Sequence, residues 1–141
     1  MLKYIALLFL LMSAIIAKQL SHIDDLQWRN RIIIVINDKN FDFQEKIKQN
    51  QMGVDERKIS IIFYNKKAVY FENKLMSEKF SISVSEKLIN IDENHRIILI
   101  GKDGGIKSSY SFETDLGKIF RDIDQMPMRR NELKVLKRNK K

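Results

Sequence analysis

The chain has 141 residues, the length of one domain, and 44% of them are hydrophobic, enough to build a core. It contains no cysteine, which excludes disulfides, thiolate nucleophiles, CxxC redox pairs, zinc–cysteine sites and lipid-modified cysteine. Lys and Arg number 26 against 18 Asp and Glu, a net charge of +8, and a surplus of that kind attracts polyanions.

The first segment, "MLKYIALLFLLMSAIIAKQ", has a charged start at Lys3 and an apolar run from Tyr4 to Ala17. That is the layout of a secretory signal peptide. The run is 14 residues, short of the ~20 that span a bilayer as a helix. Residues 1–17 are therefore expected to be a signal peptide, with an uncleaved anchor as the alternative. The mature chain is then exported, to a periplasm or outside the cell.

Residues 18–30 lead into the domain, with Leu26 and Trp28 expected to pack on its edge. "RIIIVIND", Arg31 to Asp38, is an apolar β-branched run and predicts a strand buried on both faces. The helix expected next places Phe43, Ile47 and Met52 on one side, with Gly53 as its stop. "RKISIIFYN", Arg57 to Asn65, predicts a second apolar strand. "KKAVYFENK" reads as a hairpin continuation or a loop, and "KFSISVSEKLINI" predicts a short helix capped by Ser85. "HRIILIG", His95 to Gly101, predicts a third buried strand, and "IKSSYSF", Ile106 to Phe112, a fourth.

In "ETDLGKIFRDIDQM", Leu116, Ile119, Phe120 and Ile123 fall at i, i+3, i+4 and i+7, one face of an amphipathic helix. Thr114 or Asp115 can cap its start, and close packing on the sheet would explain Gly117. Pro127, the one proline, ends the helix. The crossover between the first two strands makes them parallel, and the tight turn between the last two makes those antiparallel. The expected architecture is α/β: a three-layer, thioredoxin-like α/β/α fold with a mixed sheet of about four to five strands. Residues 18–130 form this domain, and residues 131–141 a basic C-terminal tail.

The charge lies mainly at that end. Residues 18–128 carry 18 basic and 17 acidic residues, whereas "RRNELKVLKRNKK", 129–141, carries 7 basic and 1 acidic. Lipid headgroups and polysaccharide suit such a segment. Nucleic acid suits it least, because no aromatic residue interleaves the charges to stack on bases.

"GKDGGIK" resembles a phosphate loop only in composition. A Walker loop needs its glycines before the lysine and a helix after it. Here Lys102 precedes Gly104 and Gly105, and a strand follows, so the segment reads as a hairpin turn that exposes Lys102 and Asp103. In "IDQMPMRR", Arg129 and Arg130 follow the helix end. They either cap it and pair with Asp122 or Asp124, or form an anion site. His22 and His95 lack metal-ligand spacing, and nothing in the sequence calls for a cofactor. The candidate binding surface is thus Lys102, Asp103, Asp124, Arg129 and Arg130, with Gly104, Gly105 and Pro127 shaping the turns. It would suit an anionic ligand or a partner protein's acidic patch.

"LIGKDGGIK" at 99–107 and "IDQMPMRRNE" at 123–132, separated by one amphipathic helix, together resemble the domain-of-unknown-function family 4174. "WRNRIIIVI" at 28–36 is similar to that family's opening strand. The resemblance implies a thioredoxin- or peroxiredoxin-like fold, with related domains in secreted animal proteins of the sushi-repeat and extracellular-matrix type. No activity is established for the family as a whole. In thioredoxin-like enzymes the reactive cysteine follows the first strand, at a helix N-terminus. Here that place is "NDKNFDFQ", 37–44, so thiol chemistry is excluded for this chain acting alone. The resulting expectation is an exported, non-redox binding or structural module. The alternatives are a cysteine-independent enzyme using Lys102, Asp103, Asp124 or Arg129, and weak membrane-surface association through the tail.

Overall fold

The structure, a computed structural model, describes residues 19–38 and 41–140. The expected signal peptide, 1–17, lies outside the described residues. After a 3-10 turn, Ile23–Leu26, the chain forms β1 (Arg31–Ile36), α1 (Asp42–Gln49), α2 (Gln51–Glu56) and β2 (Ile59–Asn65). It continues through β3 (Ala68–Phe71), β4 (Lys74–Leu75), α3 (Glu78–Lys87), β5 (Ile97–Ile100) and β6 (Ile106–Tyr110). Two helices close it, α4 (Leu116–Asp124) and α5 (Pro127–Arg138).

The six strands form one mixed sheet, ordered β4-β3-β2-β1-β5-β6. β1 and β2 are parallel, and every other neighbouring pair is antiparallel. The strand count exceeds the expected four to five because residues 66–75 add β3 and β4 as a hairpin. Asn65 fixes the turn from β2 into β3: its side-chain oxygen accepts the N–H groups of Lys67 and Ala68.

β1 is the centre of the core. Its alternating residues point to opposite faces. Ile33 and Val35 pack with Phe43, Ile47 and Val54 from α1 and α2, and with Leu116, Ile119 and Ile123 from α4. Ile32 and Ile34 pack on the other face with Phe80 and Val84 of α3 and with Ile23 and Leu26. A strand apolar on both sides is what such a position requires.

Several local expectations are corrected. Leu26 is buried, but Trp28 is 63% exposed. The helix after β1 breaks at Asn50, which faces Met52 outward at 83% exposure. Gly53 lies inside α2 rather than stopping it. A Cβ on Gly53 would come within 2.6 Å of the Phe120 ring, so the residue allows α2 to approach α4. α3 starts earlier than expected and is capped by Ser77, whose hydroxyl accepts the Phe80 N–H. At Gly117 a Cβ would meet the Asp115 carboxylate of the preceding turn, not the sheet. Asp115 is the N-cap residue of α4, with no side-chain capping bond. Pro127 ends nothing directly: α4 stops at Asp124 and Pro127 opens α5, where its missing N–H costs no hydrogen bond. α5 runs to Arg138, so the boundary at 130/131 falls inside a helix, and residues 131–138 continue it.

Candidate functional site

Three of the five candidate residues converge at one end of the sheet. This is the amino end of β1 and β2, where antiparallel β5 finishes and Lys102 follows it. Here Glu132 of α5 meets cations from the start of β1 and from the loop after β5. Arg31 grips Glu132 with two N–H groups at 3.2 and 3.3 Å. The Lys102 ammonium lies 2.6 Å from the same carboxylate, and Arg129 approaches it at 3.5 Å. Asp124 accepts from Arg57 at 2.7 and 3.1 Å and from Arg129 at 3.2 Å. Arg129 also donates to the Glu56 carboxylate at 2.8 Å and to the Glu56 backbone carbonyl. Arg57 lies over the Phe120 ring, 4.4 Å from its centre.

This is a closed network of four cations and three carboxylates. Arg31 and Arg129 are each 1% exposed and Lys102 8%. Lys102 is therefore buried, contrary to the expectation that the turn exposes it. Its ammonium is drawn inward to Glu132, while Asp103 alone stays outside, held by Lys107 at 2.6 Å. Arg130 is exposed and donates to the Gln125 side chain. Asp122 pairs with Lys118 and accepts the Tyr110 hydroxyl, so it stands apart from the arginines.

The turn itself is held by geometry. Gly104 has φ +79°, a conformation that glycine tolerates best, and its N–H closes onto the Gly101 carbonyl at 3.0 Å. Gly105 has no such requirement. Gln27 and Lys87 bond the carbonyls of Asp103 and Gly104, so the turn is packed down.

The electrostatics agree with a structural network. Burial pushes the Asp124 carboxyl up, but the hydrogen bonds from Arg57 and Arg129 outweigh it and hold it below its ordinary value. Glu132 follows the same logic: burial raises it, and Lys102 and Arg31 bring it lower. Asp103 is lowered by the Lys107 hydrogen bond and by the Gly105 N–H. Asp122 is lowered by Lys118 and Tyr110. Tyr110 is pushed up to about 12, by burial first and by the Asp122 carboxylate. These groups move away from neutrality, the opposite of what a proton-transfer residue needs.

The other end of the sheet carries an open cleft of about 560 Å³. It lies beyond the carboxyl ends of β1 and β2, where α/β sheets commonly receive ligands. Phe63 and Tyr70, paired across β2 and β3, lie on its floor side, with Tyr64, Asn65 and Asn73 beside them. Asn37, Asp38, Phe41 and Gln44 form the wall toward α1. Among the described residues the lining includes four aromatic rings, four side-chain amides and one carboxylate, and no Lys, Arg or His.

The backbone here is strained. Asn37, Phe41 and Asn73 all have positive φ, at 53°, 58° and 62°. Left-handed geometry is unfavourable for a phenylalanine and persists only where the surroundings enforce it. Phe41 is also 69% exposed. Asp38 accepts the Gln44 N–H at 3.3 Å through Oδ2, and its buried Oδ1 has no hydrogen-bond partner among the described residues. Such an oxygen is uncommon in a folded protein.

Sequence reasoning missed this cleft because amides and aromatics at strand ends carry no spacing motif. It also missed Arg31, Glu56, Arg57 and Glu132. Glu132 had a signal: it is the one acid in the basic stretch 129–141. Among the described residues, no group of three or more His, Asp or Glu side chains is placed to hold a metal ion. No described helix is long and apolar enough to cross a membrane.

The family described as Domain of unknown function (DUF4174) matches residues 22–132. No curated protein and no solved structure matches the chain. The matched span covers most of the sequence and includes both the buried charge network and the cleft, and the chain belongs to this family.

Proposed function

For this member of the DUF4174 family, we propose an exported, thioredoxin-like binding module without thiol chemistry, whose ligand surface is the cleft at the carboxyl ends of β1 and β2. The observation that carries the reading is the wall formed by Asn37, Asp38, Phe41 and Gln44. It occupies the place after the first strand where a thioredoxin-like enzyme keeps its cysteine, and here it combines strained backbone, exposed Phe41 and a carboxylate oxygen with no hydrogen-bond partner among the described residues. The order β2-β1-β5-β6, with the first pair parallel and the rest antiparallel, supports the thioredoxin-like description. The charged start and apolar run at 1–17 support export. The cleft lining suits uncharged or cationic ligands: aromatic faces attract cations and apolar ring faces, and the amides offer both donors and acceptors.

A cysteine-independent enzyme built on Lys102, Asp124 and Arg129 is less well supported. Lys102 is taken up by Glu132, Asp124 by Arg57 and Arg129, and Arg129 also by Glu56 and Glu132, and Asp124 is held ionised. An anionic ligand at Arg129 would have to displace three carboxylates from a side chain that is 1% exposed.

The test is a small-fragment library screened against the ¹⁵N-labelled domain by NMR. Neutral and cationic fragments are expected to perturb Asn37, Gln44, Tyr64, Tyr70 and Asn73 together, and Tyr70→Ala is expected to remove the effect without unfolding. Fragments that gather instead around Gly101–Lys107, with anions preferred, would replace this reading with the anion-site one.

A further inference from the structure

The helix α5 has two different sides. Arg129, Glu132 and Leu133 face the domain. Arg130, Lys134, Lys137 and Arg138 fall at i, i+4, i+7 and i+8, which places all four on one other side of the helix. All four are exposed. Arg130 bonds only a neutral amide, and among the described residues no carboxylate forms an ion pair with any of the four. The contrast with Arg31, Lys102 and Arg129 is sharp, since those cations are internally neutralised. From Lys134 onward every described residue of the helix is exposed, so the outer end of the stripe stands clear of the domain. Met128 and Val135, seven residues apart and 40% and 53% exposed, form an apolar strip beside the basic one.

We infer that this side of α5 is a docking surface for an anionic lipid membrane. The four cations lie against the headgroup phosphates, and Met128 and Val135 enter the interfacial layer. Juxtamembrane basic residues gain from the negative surface potential of an anionic leaflet, one increment per charge. Apolar residues bordering a basic face are the pattern of helices that lie in the interface plane. A hydrated polysaccharide would satisfy the cations but offers nothing to Met128 and Val135. Nucleic acid would find no aromatic residue on this helix to stack against. The surface is separate from the cleft at the carboxyl ends of the strands, so the two can act at once: one end of the molecule tethered, the other open.

The test is co-sedimentation with vesicles of phosphatidylcholine alone and with added phosphatidylglycerol. The protein should begin at Lys18, because the apolar run Tyr4–Ala17 would bind lipid by itself. Every buried hydrophobic residue of the described core lies at Ile23 or beyond, so this form keeps that core. Binding is expected only to the anionic vesicles and should fall steeply between roughly 0.1 M and 0.5 M salt. The variant Arg130→Gln/Lys134→Gln/Lys137→Gln/Arg138→Gln should bind at least about tenfold more weakly with an unchanged helical signal. The control Lys48→Gln/Lys66→Gln/Lys67→Gln/Lys74→Gln removes the same charge elsewhere and should bind like the parent. Absence of binding to anionic vesicles would overturn the inference, as would equal losses in the two variants. Binding to soluble heparin without binding to phosphatidylglycerol would assign the surface to polysaccharide instead.

Discussion

Glu132 holds three cations at one carboxylate, and its charge state should therefore be visible in the stability of the whole domain. In the unfolded chain it titrates at its ordinary value of 4.5, and Asp124 at 3.8. In the folded protein both are lower, so between the folded and unfolded values the unfolded chain binds the extra protons. Their contribution is fully present above the unfolded values and is lost as the pH falls through the folded ones. The melting temperature is expected to drop from about pH 6 to about pH 3. Glu132→Gln should start lower at the upper pH and lose less over the same interval, so that the two curves converge in acid. Parallel curves, measured by thermal melts across that range, would show that Glu132 is not the group responsible. The pairing of Arg129 with Asp124 was legible from their positions around one helix end. The inward turn of Lys102 was not, because its partner lies 30 residues away, on a helix that the charge count alone presents as a loose tail.

At the scale of elements, periodicity served well where one face is continuous and poorly where two short helices meet. α4 has its buried residues, Leu116, Ile119 and Ile123, at the expected spacing. The break between α1 and α2 escaped the pattern because the apolar spacing from Phe43 through Met52 reads as one helix until Asn50 interrupts it. The position of Gly53 has a specific cause in the contact with Phe120, a ring already pinned by the Arg57 guanidinium. Gly53→Ala would ordinarily stabilise a helix by up to about 1 kcal/mol. Here overpacking against Phe120 is expected to outweigh that gain and destabilise the protein by about 1–2 kcal/mol. Denaturant unfolding of Gly53→Ala beside Gly53→Ala/Phe120→Leu separates the two effects, since the smaller side chain should restore part of the loss. Residues 66–91 were the hardest to read, because a hairpin of short strands and a helix with only three buried residues leave little periodic signal.

Across the whole molecule, the crossover rule and the Asp-Gly turn foretold the parallel pair, the antiparallel pair and helices on both faces of the sheet. What composition could not foretell is the division of labour between the two ends of that sheet. The amino end is closed by buried, mutually satisfied charges that fasten α5 to the strands. The carboxyl end is open and strained, and Asp38 is the one charged side chain among the described residues that line its cleft. The residues that look most chemical in the sequence are thus the ones that hold the fold, while the cleft is lined by residues that form no motif. The most direct measurement is the unfolding free energy of Arg129→Ala, read by urea denaturation alongside fragment binding to the folded variant. Removing one member of a buried charge network should cost about 3 kcal/mol or more, and fragment binding at the cleft should persist below the transition. An Arg129→Ala protein of full stability that has lost a ligand would contradict this account and return the function to the amino end.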